Sequence, residues 1–362
     1  MPQIPLVDVR AQYAPLLDDL KERIAEVLDS GRFILGPNVR AFEEEAAAYL
    51  GVRHAIGVAN GTDALVLALD AMGIGEGDEV VCPAFTFYAT AEAIVRRGAQ
   101  PVFADVDPGT LNVDWEDAAR RVTPRTKAIM PVHLFGRPAA LEELAGLGPP
   151  LLEDAAQAFG ARGVATTGAA STFSFFPTKN LFAFGDGGLI TTDDGALAER
   201  LRLLRFHGST DKKRFELVGY NSRLDELQAA VLRVFLGHIE EWNRLRREAA
   251  ARYAELGLGD VCELLADEPG HVYHMYVVRT PERDRVAAAL AEAGIASAAY
   301  YTTPLHLQPV LGFLGHTEGD FPETERAGRE NLALPLWAGI RPDVQERVVE
   351  AVKKASSLEV VR

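Results

Sequence analysis

Between residues 54 and 153 the chain alternates short apolar runs with helical periods, and this alternation restricts the fold more than any other feature. The runs fall at about 54 to 58, 79 to 82, 101 to 105, 127 to 132 and 150 to 153. Between them lie segments with helical spacing at 62 to 72, 86 to 97, 115 to 121 and 139 to 145. Alternating strands and helices predict an α/β fold built on a mainly parallel sheet. Such sheets gather ligands beyond the carboxyl ends of their strands, so the residues just after each run are the candidates for chemistry.

Two amphipathic helices precede this region, one over 16 to 30 stopped by Gly31 and one that starts after Pro37 and stops at Gly51. Beyond it, strands are expected at 172 to 176 and 187 to 192, with a helix at 195 to 205. One long helix is expected from near Ser222 to about Tyr253, bridging to a smaller lobe. That lobe carries expected strands at 272 to 279 and 295 to 301 and helices at 282 to 293, 323 to 332 and 341 to 355, an α+β pattern. A chain of 362 residues exceeds the usual single domain, and the expected division is 1–244 for a large domain and 245–362 for a small one.

The net charge of -15 repels phosphate backbones and anionic lipid, which argues against nucleic acid or a membrane surface as partner. An anionic substrate would need a local basic patch. Cys82 and Cys262 stand far apart without metal-ligand spacing, which suits a reducing compartment, and the cytoplasm is the expected location. The N-terminus lacks a basic segment followed by an apolar run, and no stretch reaches about 18 uninterrupted apolar residues, so no signal peptide or transmembrane span is expected. His271 and His274 would point to opposite faces of a strand, so no metal is expected.

Five segments carry chemistry. Asn60-Gly61-Thr62-Asp63-Ala64-Leu65 follows a strand and opens a helix, the arrangement that holds phosphate on helix N–H groups. Thr62 or Asp63 capping its own helix is the plainer reading. Leu151-Leu152-Glu153-Asp154-Ala155-Ala156-Gln157 ends a strand in a carboxylate, and a buried Asp154 needs a cation such as a protonated pyridine nitrogen unless it only caps the next segment. Gln157 either donates to a ring hydroxyl or is a loop residue. In Ser174-Phe175-Phe176-Pro177-Thr178-Lys179-Asn180-Leu181, a lone lysine lies among aromatics ahead of Gly185-Asp186-Gly187-Gly188. Partial desolvation there would lower its pKa and free the amine for Schiff-base chemistry, although most lysines are surface residues. Phe87, after the run at 79 to 82, is either a stacking ring or core. Lys212, Lys213 and Arg214, before Gly219-Tyr220-Asn221-Ser222-Arg223, form a local basic cluster that is either a solvated loop or an anion site.

Taken together, these blocks resemble the DegT/DnrJ/StrS sugar aminotransferases, in the family's order and from about Ile4 to the Leu334-Pro335-Leu336 segment. The resemblance implies the aspartate-aminotransferase fold, fold type I of enzymes dependent on pyridoxal 5'-phosphate. It implies Lys179 as the Schiff-base lysine, Asp154 on the pyridine nitrogen, Gln157 on the ring oxygen, and Gly61, Thr62 and Ser174 on the phosphate. It also implies Phe87 as the stacking ring and Asn221 as a phosphate ligand given to the neighbouring subunit, hence a homodimer with shared sites. By the same likeness the donor is L-glutamate and the acceptor a nucleotide-linked keto sugar, here expected to be a 3-keto hexose. The basic cluster with Lys212 and Arg214 would meet the diphosphate, and His306 either faces the sugar or stabilises a turn.

Two positions depart from the family's pattern: Phe159 stands where many relatives carry histidine, and Tyr301-Thr302-Thr303-Pro304 replaces a Tyr-Pro start. Lysine rather than histidine at 179 disfavours the family's dehydratase branch. The alternatives are transamination of a free cyclitol or similar ring ketone, and a non-catalytic regulatory protein that keeps the fold.

Overall fold

The computed structural model describes residues 3–357. Its main sheet combines β1 (His54–Val58), β2 (Glu79–Pro83), β3 (Gln100–Ala104), β4 (Thr126–Ile129), β5 (Leu152–Asp154), β6 (Ala170–Ser174) and β7 (Gly188–Thr192). The strands run in the orders β1-β7-β6-β5 and β3-β2-β4, joined where Ile129 bridges Leu151 and Val132 bridges Asp154. β2 runs parallel to β3 and β4, and β5 to β6, whereas β7 runs antiparallel to β1 and β6. Every residue of β2 and β7 is buried, as expected of central strands covered on both faces.

The helices that follow the strands form where apolar residues recur at helical spacing, and the helix Gly61–Ala71 is buried almost all round, from Ala64 to Leu69. Gly31 and Gly51 end the first two long helices in the left-handed region, at φ 62° and 72°, the conformation glycine adopts without steric cost. Glu226 reaches the start of the second: its carboxylate accepts from Asn38 N at 2.9 Å and Val39 N at 2.8 Å. That is a cap supplied from a distant helix.

In the C-terminal lobe β8 (Glu263–Leu264), β9 (Tyr276–Arg279) and β10 (Asn331–Leu334) make an antiparallel sheet in the order β10-β9-β8. Its core includes Tyr253, Val278, Leu290, Leu334 and Val348, and Ile4 joins it through a bridge to Ile295.

Several expected boundaries move. The long helix expected over 222 to 253 is two helices, Glu226–Leu236 and Ile239–Glu255: Asp225 is extended, and a turn at Gly237 and His238, with His238 N donating to Phe235 O at 2.9 Å, separates the two. The strand expected over 272 to 279 starts only at Tyr276, since Val272 N instead donates to Gly136 O at 3.0 Å. No strand forms over 295 to 301; that segment makes isolated bridges at Ile295 and Ala298. The helix expected over 323 to 332 spans Pro322–Glu330, and Asn331 begins β10. Among the described residues no helix is long and apolar enough to cross a membrane.

Candidate active site

The site lies where β1, β5 and β6 end. After β1, Asn60 is extended and its side chain accepts from Asp63 N at 2.8 Å, so Asn60 caps the helix and neither Thr62 nor Asp63 is needed for that. A helix leaves its first N–H groups without intrahelical acceptors, and its positive end favours anions. Gly61 packs so closely that a Cβ there would lie 2.7 Å from the Ser174 Cβ at the end of β6. A Cβ on Gly188 would lie 2.4 Å from Asn60 O. The absence of side chains at these two positions lets the helix start meet the Ser174 hydroxyl, forming a cradle with phosphate-binding chemistry.

Asp154 ends β5 and is 5% exposed. Thr90 Oγ1 donates to its Oδ2 at 2.8 Å, and Ala156 N donates to Oδ1 at 3.2 Å. Burial raises its pKa above the ordinary carboxylate value, opposed by those two donors and by the Lys179 charge. Such a carboxylate fits a cationic ring nitrogen, which would restore the charge partner that burial demands.

Lys179 follows β6 on a tight turn in which its N–H donates to Phe176 O at 2.9 Å. The next residue locks the turn: Asn180 Nδ2 donates to Asn243 Oδ1 at 2.7 Å and to Val272 O at 2.8 Å. Burial of the amine lowers its pKa to about 8, with Asp154 pulling the other way. The amine is thus far closer to a neutral nucleophile at physiological pH than an ordinary lysine.

Gln157 is buried, and its Oε1 accepts from Phe135 N at 2.8 Å. Its Nε2 donates to Tyr301 OH at 3.4 Å. Phe87 is 55% exposed, with its ring centroid 5.9 Å from that of Tyr301, so an aromatic face is available for stacking. The structure therefore brings Gly61, Thr62, Ser174, Asp154, Lys179, Gln157 and Phe87 to one region. It adds Thr90 and Tyr301, which the motifs did not single out; Tyr301 lay in the segment that departs from the family's pattern.

The remaining candidates sit elsewhere on the single chain. Asn221 is exposed and bridges Phe206, and the neighbouring Ser222 accepts from Ala59 N at 3.1 Å, tying this strand to the phosphate cradle. Lys212, Lys213 and Arg214 lie on an exposed loop, with Lys212 Nζ 4.8 Å from the Phe206 ring centroid. The loop is pinned at its base, where a Cβ on Gly208 would fall 1.8 Å from Leu217 O. His306 is 2% exposed, with Nε2 3.1 Å from Glu325 and its ring packed edge-on against Phe321, so here it braces a turn. Phe159 is core: it stacks on Tyr49 and meets Phe173 and Phe175 edge-on.

A mixed α/β sheet with a lysine, a buried aspartate and a helix-end phosphate cradle at its strand ends defines the fold type I class. The sequence profile of the DegT/DnrJ/EryC1/StrS aminotransferase family matches residues 16–353, and the chain belongs to that family. A pleiotropic regulatory protein of Geobacillus stearothermophilus is 47% identical, over 96% of this chain and 97% of its own length. The UDP-N-acetyl-3-dehydro-alpha-D-glucosamine 3-aminotransferase of Acidithiobacillus ferrooxidans is 44% identical, over 97% of each chain. Among solved structures, Streptomyces venezuelae DesV in complex with a ketimine intermediate superposes with a TM-score of 0.95 at 41% identity, covering 99% of both chains. Bacillus subtilis NtdA with bound cofactor PMP has a TM-score of 0.89 at 31% identity, covering 94% of this chain and 81% of that one.

Proposed function

We propose that this protein is a pyridoxal 5'-phosphate-dependent aminotransferase that moves an amino group from L-glutamate to a nucleotide-linked 3-keto hexose, giving the nucleotide-linked amino sugar. The observation that carries this reading is the convergence of Lys179, Asp154 and the Gly61–Ser174 cradle at adjacent strand ends. The name of the Acidithiobacillus relative supports the substrate class.

The cofactor, when bound, supplies an electron sink that stabilises negative charge at the reacting carbon. Gly61, Thr62 and Ser174 hold its phosphate, Phe87 covers its ring, and Gln157 donates to its ring oxygen. Asp154 keeps a proton on the ring nitrogen by charge pairing in a dry setting. Lys179 Nζ would hold the cofactor covalently. The Lys179 amine would also accept and return the proton of the donor carbon, and its lowered pKa suits both directions. The large lobe 1–244 carries this machinery and the lobe 245–362 closes it, in a cytoplasmic homodimer whose sites each receive Asn221 from the partner subunit. The exposed Lys212 and Arg214 give an acidic protein a local attraction for the substrate diphosphate.

The lowered lysine pKa has a kinetic consequence. Association of pyridoxal 5'-phosphate with the cofactor-free protein should accelerate as pH rises through about 8, because only the neutral amine attacks. Stopped-flow absorbance across that range checks it, and a rate that climbs only near pH 10 would place the amine in ordinary solvent.

The name of the Geobacillus relative favours a second reading, a regulator that retains the fold. Incubating the protein and cofactor with L-glutamate and a UDP- or dTDP-linked 3-keto hexose separates the two. Formation of 2-oxoglutarate and the amino sugar, seen by mass spectrometry, supports the enzyme. Turnover of free cyclitol ketones alone selects the alternative acceptor, and a bound cofactor with no transamination of any acceptor supports the regulator.

A further inference from the structure

Behind Asp154, on the opposite face of β5, Glu153 is fully buried beside an equally buried His133. The pair does not belong to the machinery above, yet both oxygens of the carboxylate are engaged. His133 Nε2 lies 3.0 Å from Glu153 Oε2, Ala165 N donates to that oxygen at 2.9 Å, and Gly168 N donates to Oε1 at 2.8 Å. The tautomer of His133 follows from its other nitrogen. Ala139 N donates to Nδ1 at 3.0 Å, so Nδ1 holds the lone pair and Nε2 carries the hydrogen given to Glu153. Position 153 must therefore offer acceptors only, which a carboxylate does and an amide does not.

His133 opens the short turn Leu134–Gly136, in which Phe135 adopts a left-handed φ of 57° that a bulky residue takes only when its surroundings impose it. Three contacts impose it besides the ring of His133. His133 N donates to Asp154 O at 3.0 Å, Asn112 Oδ1 accepts from Leu134 N at 3.0 Å, and His271 Nε2 sits 3.2 Å from Phe135 O. The turn aims Phe135 N–H at Gln157 Oε1, 2.8 Å away. With its oxygen engaged there, Gln157 has only its NH2 to present towards Tyr301 and the site.

We propose that Glu153 and His133 are positioning residues: through the strained Phe135 turn they fix the direction of the Gln157 amide, so that it meets the cofactor as a donor. The inference rests on the cofactor reading above, and its test keeps the two apart. Dissociation of pyridoxal 5'-phosphate from the holoenzyme is measured for wild type, Glu153→Gln, Gln157→Ala and the double variant, with hydrogen exchange at the Phe135 amide followed in the cofactor-free chain.

Each single variant should release cofactor roughly tenfold faster, the loss of one well-aimed donor. The double variant should be no faster than Gln157→Ala alone, because Glu153 acts through that side chain. Exchange at Phe135 should rise in Glu153→Gln, which loosens the turn, and in Gln157→Ala, which removes the acceptor of that N–H. If Glu153→Gln fails to fold, Asn112→Ala releases the same turn without disturbing the buried charge and is read in the same cycle. Additive effects, or a folded variant with wild-type release and wild-type Phe135 exchange, overturn the proposal. A wild-type protein that binds no cofactor instead overturns the reading on which it rests.

Discussion

Lys179→Ala is expected to lower transamination at least about ten-thousand-fold, the combined loss of the covalent anchor and the proton carrier. The fold should survive. The amine is held where burial lowers its pKa to about 8, so the charged form is a cost to the cofactor-free protein below that pH. Its removal takes away no hydrogen bond on which the turn depends, because the turn is held by the backbone of Lys179 and by the side chain of Asn180. The sign follows from linkage: the unfolded state binds the proton up to the ordinary value of 10.5, so stability tied to this group rises between about 8 and 10.5. Steady-state turnover with L-glutamate, alongside thermal unfolding of the cofactor-free variant, checks both halves. Residual turnover within about a hundredfold of wild type would assign the proton transfer to another group.

Asp154→Asn is expected to cost roughly 100- to 1,000-fold in kcat, because a neutral amide cannot pair with a protonated ring nitrogen and the electron sink weakens. Shape is conserved: the amide oxygen can accept from Ala156 N while its NH2 donates to the Thr90 hydroxyl, which accepts as readily as it donates. Since burial raises the carboxyl pKa in the folded protein, the ionised form opposes folding at neutral pH, and its loss leaves cofactor-free stability unchanged or higher. A variant that loses activity only in proportion to a fall in melting temperature would make Asp154 a structural carboxylate.

Much of the large lobe was legible because its signals are local. Apolar runs under five or six residues, glycines at helix ends and the period change after Gly51 each act within a few residues, and β1 to β5 appear where the runs fall. The direction of β7 was not legible: a buried strand reads the same whether it runs parallel or antiparallel. The C-terminal lobe misled more because its segments are set by distant partners. Asn331 ends a helix with Nδ2 on Ala327 O at 2.7 Å and takes Tyr300 N at 2.6 Å, contacts that stop the 295 to 301 segment from pairing as a strand and hold Tyr301 near Gln157.

The candidate cluster was readable because its members lie at or just after strand ends. Thr90 and Tyr301 were not, since one lies in the first turn of a helix and the other arrives from the far lobe. For His306 the sequence left a sugar contact and a turn-stabilising role open, and in the structure its imidazole is engaged with Glu325.

The central claim is that Lys179 carries the cofactor and that L-glutamate reacts with it there. The visible absorption spectrum of purified protein with pyridoxal 5'-phosphate, recorded for wild type and Lys179→Ala before and after L-glutamate, tests it most directly. The account predicts a yellow band that requires Lys179 and bleaches with glutamate. A band indifferent to Lys179, or a wild-type band that glutamate leaves untouched, would contradict it.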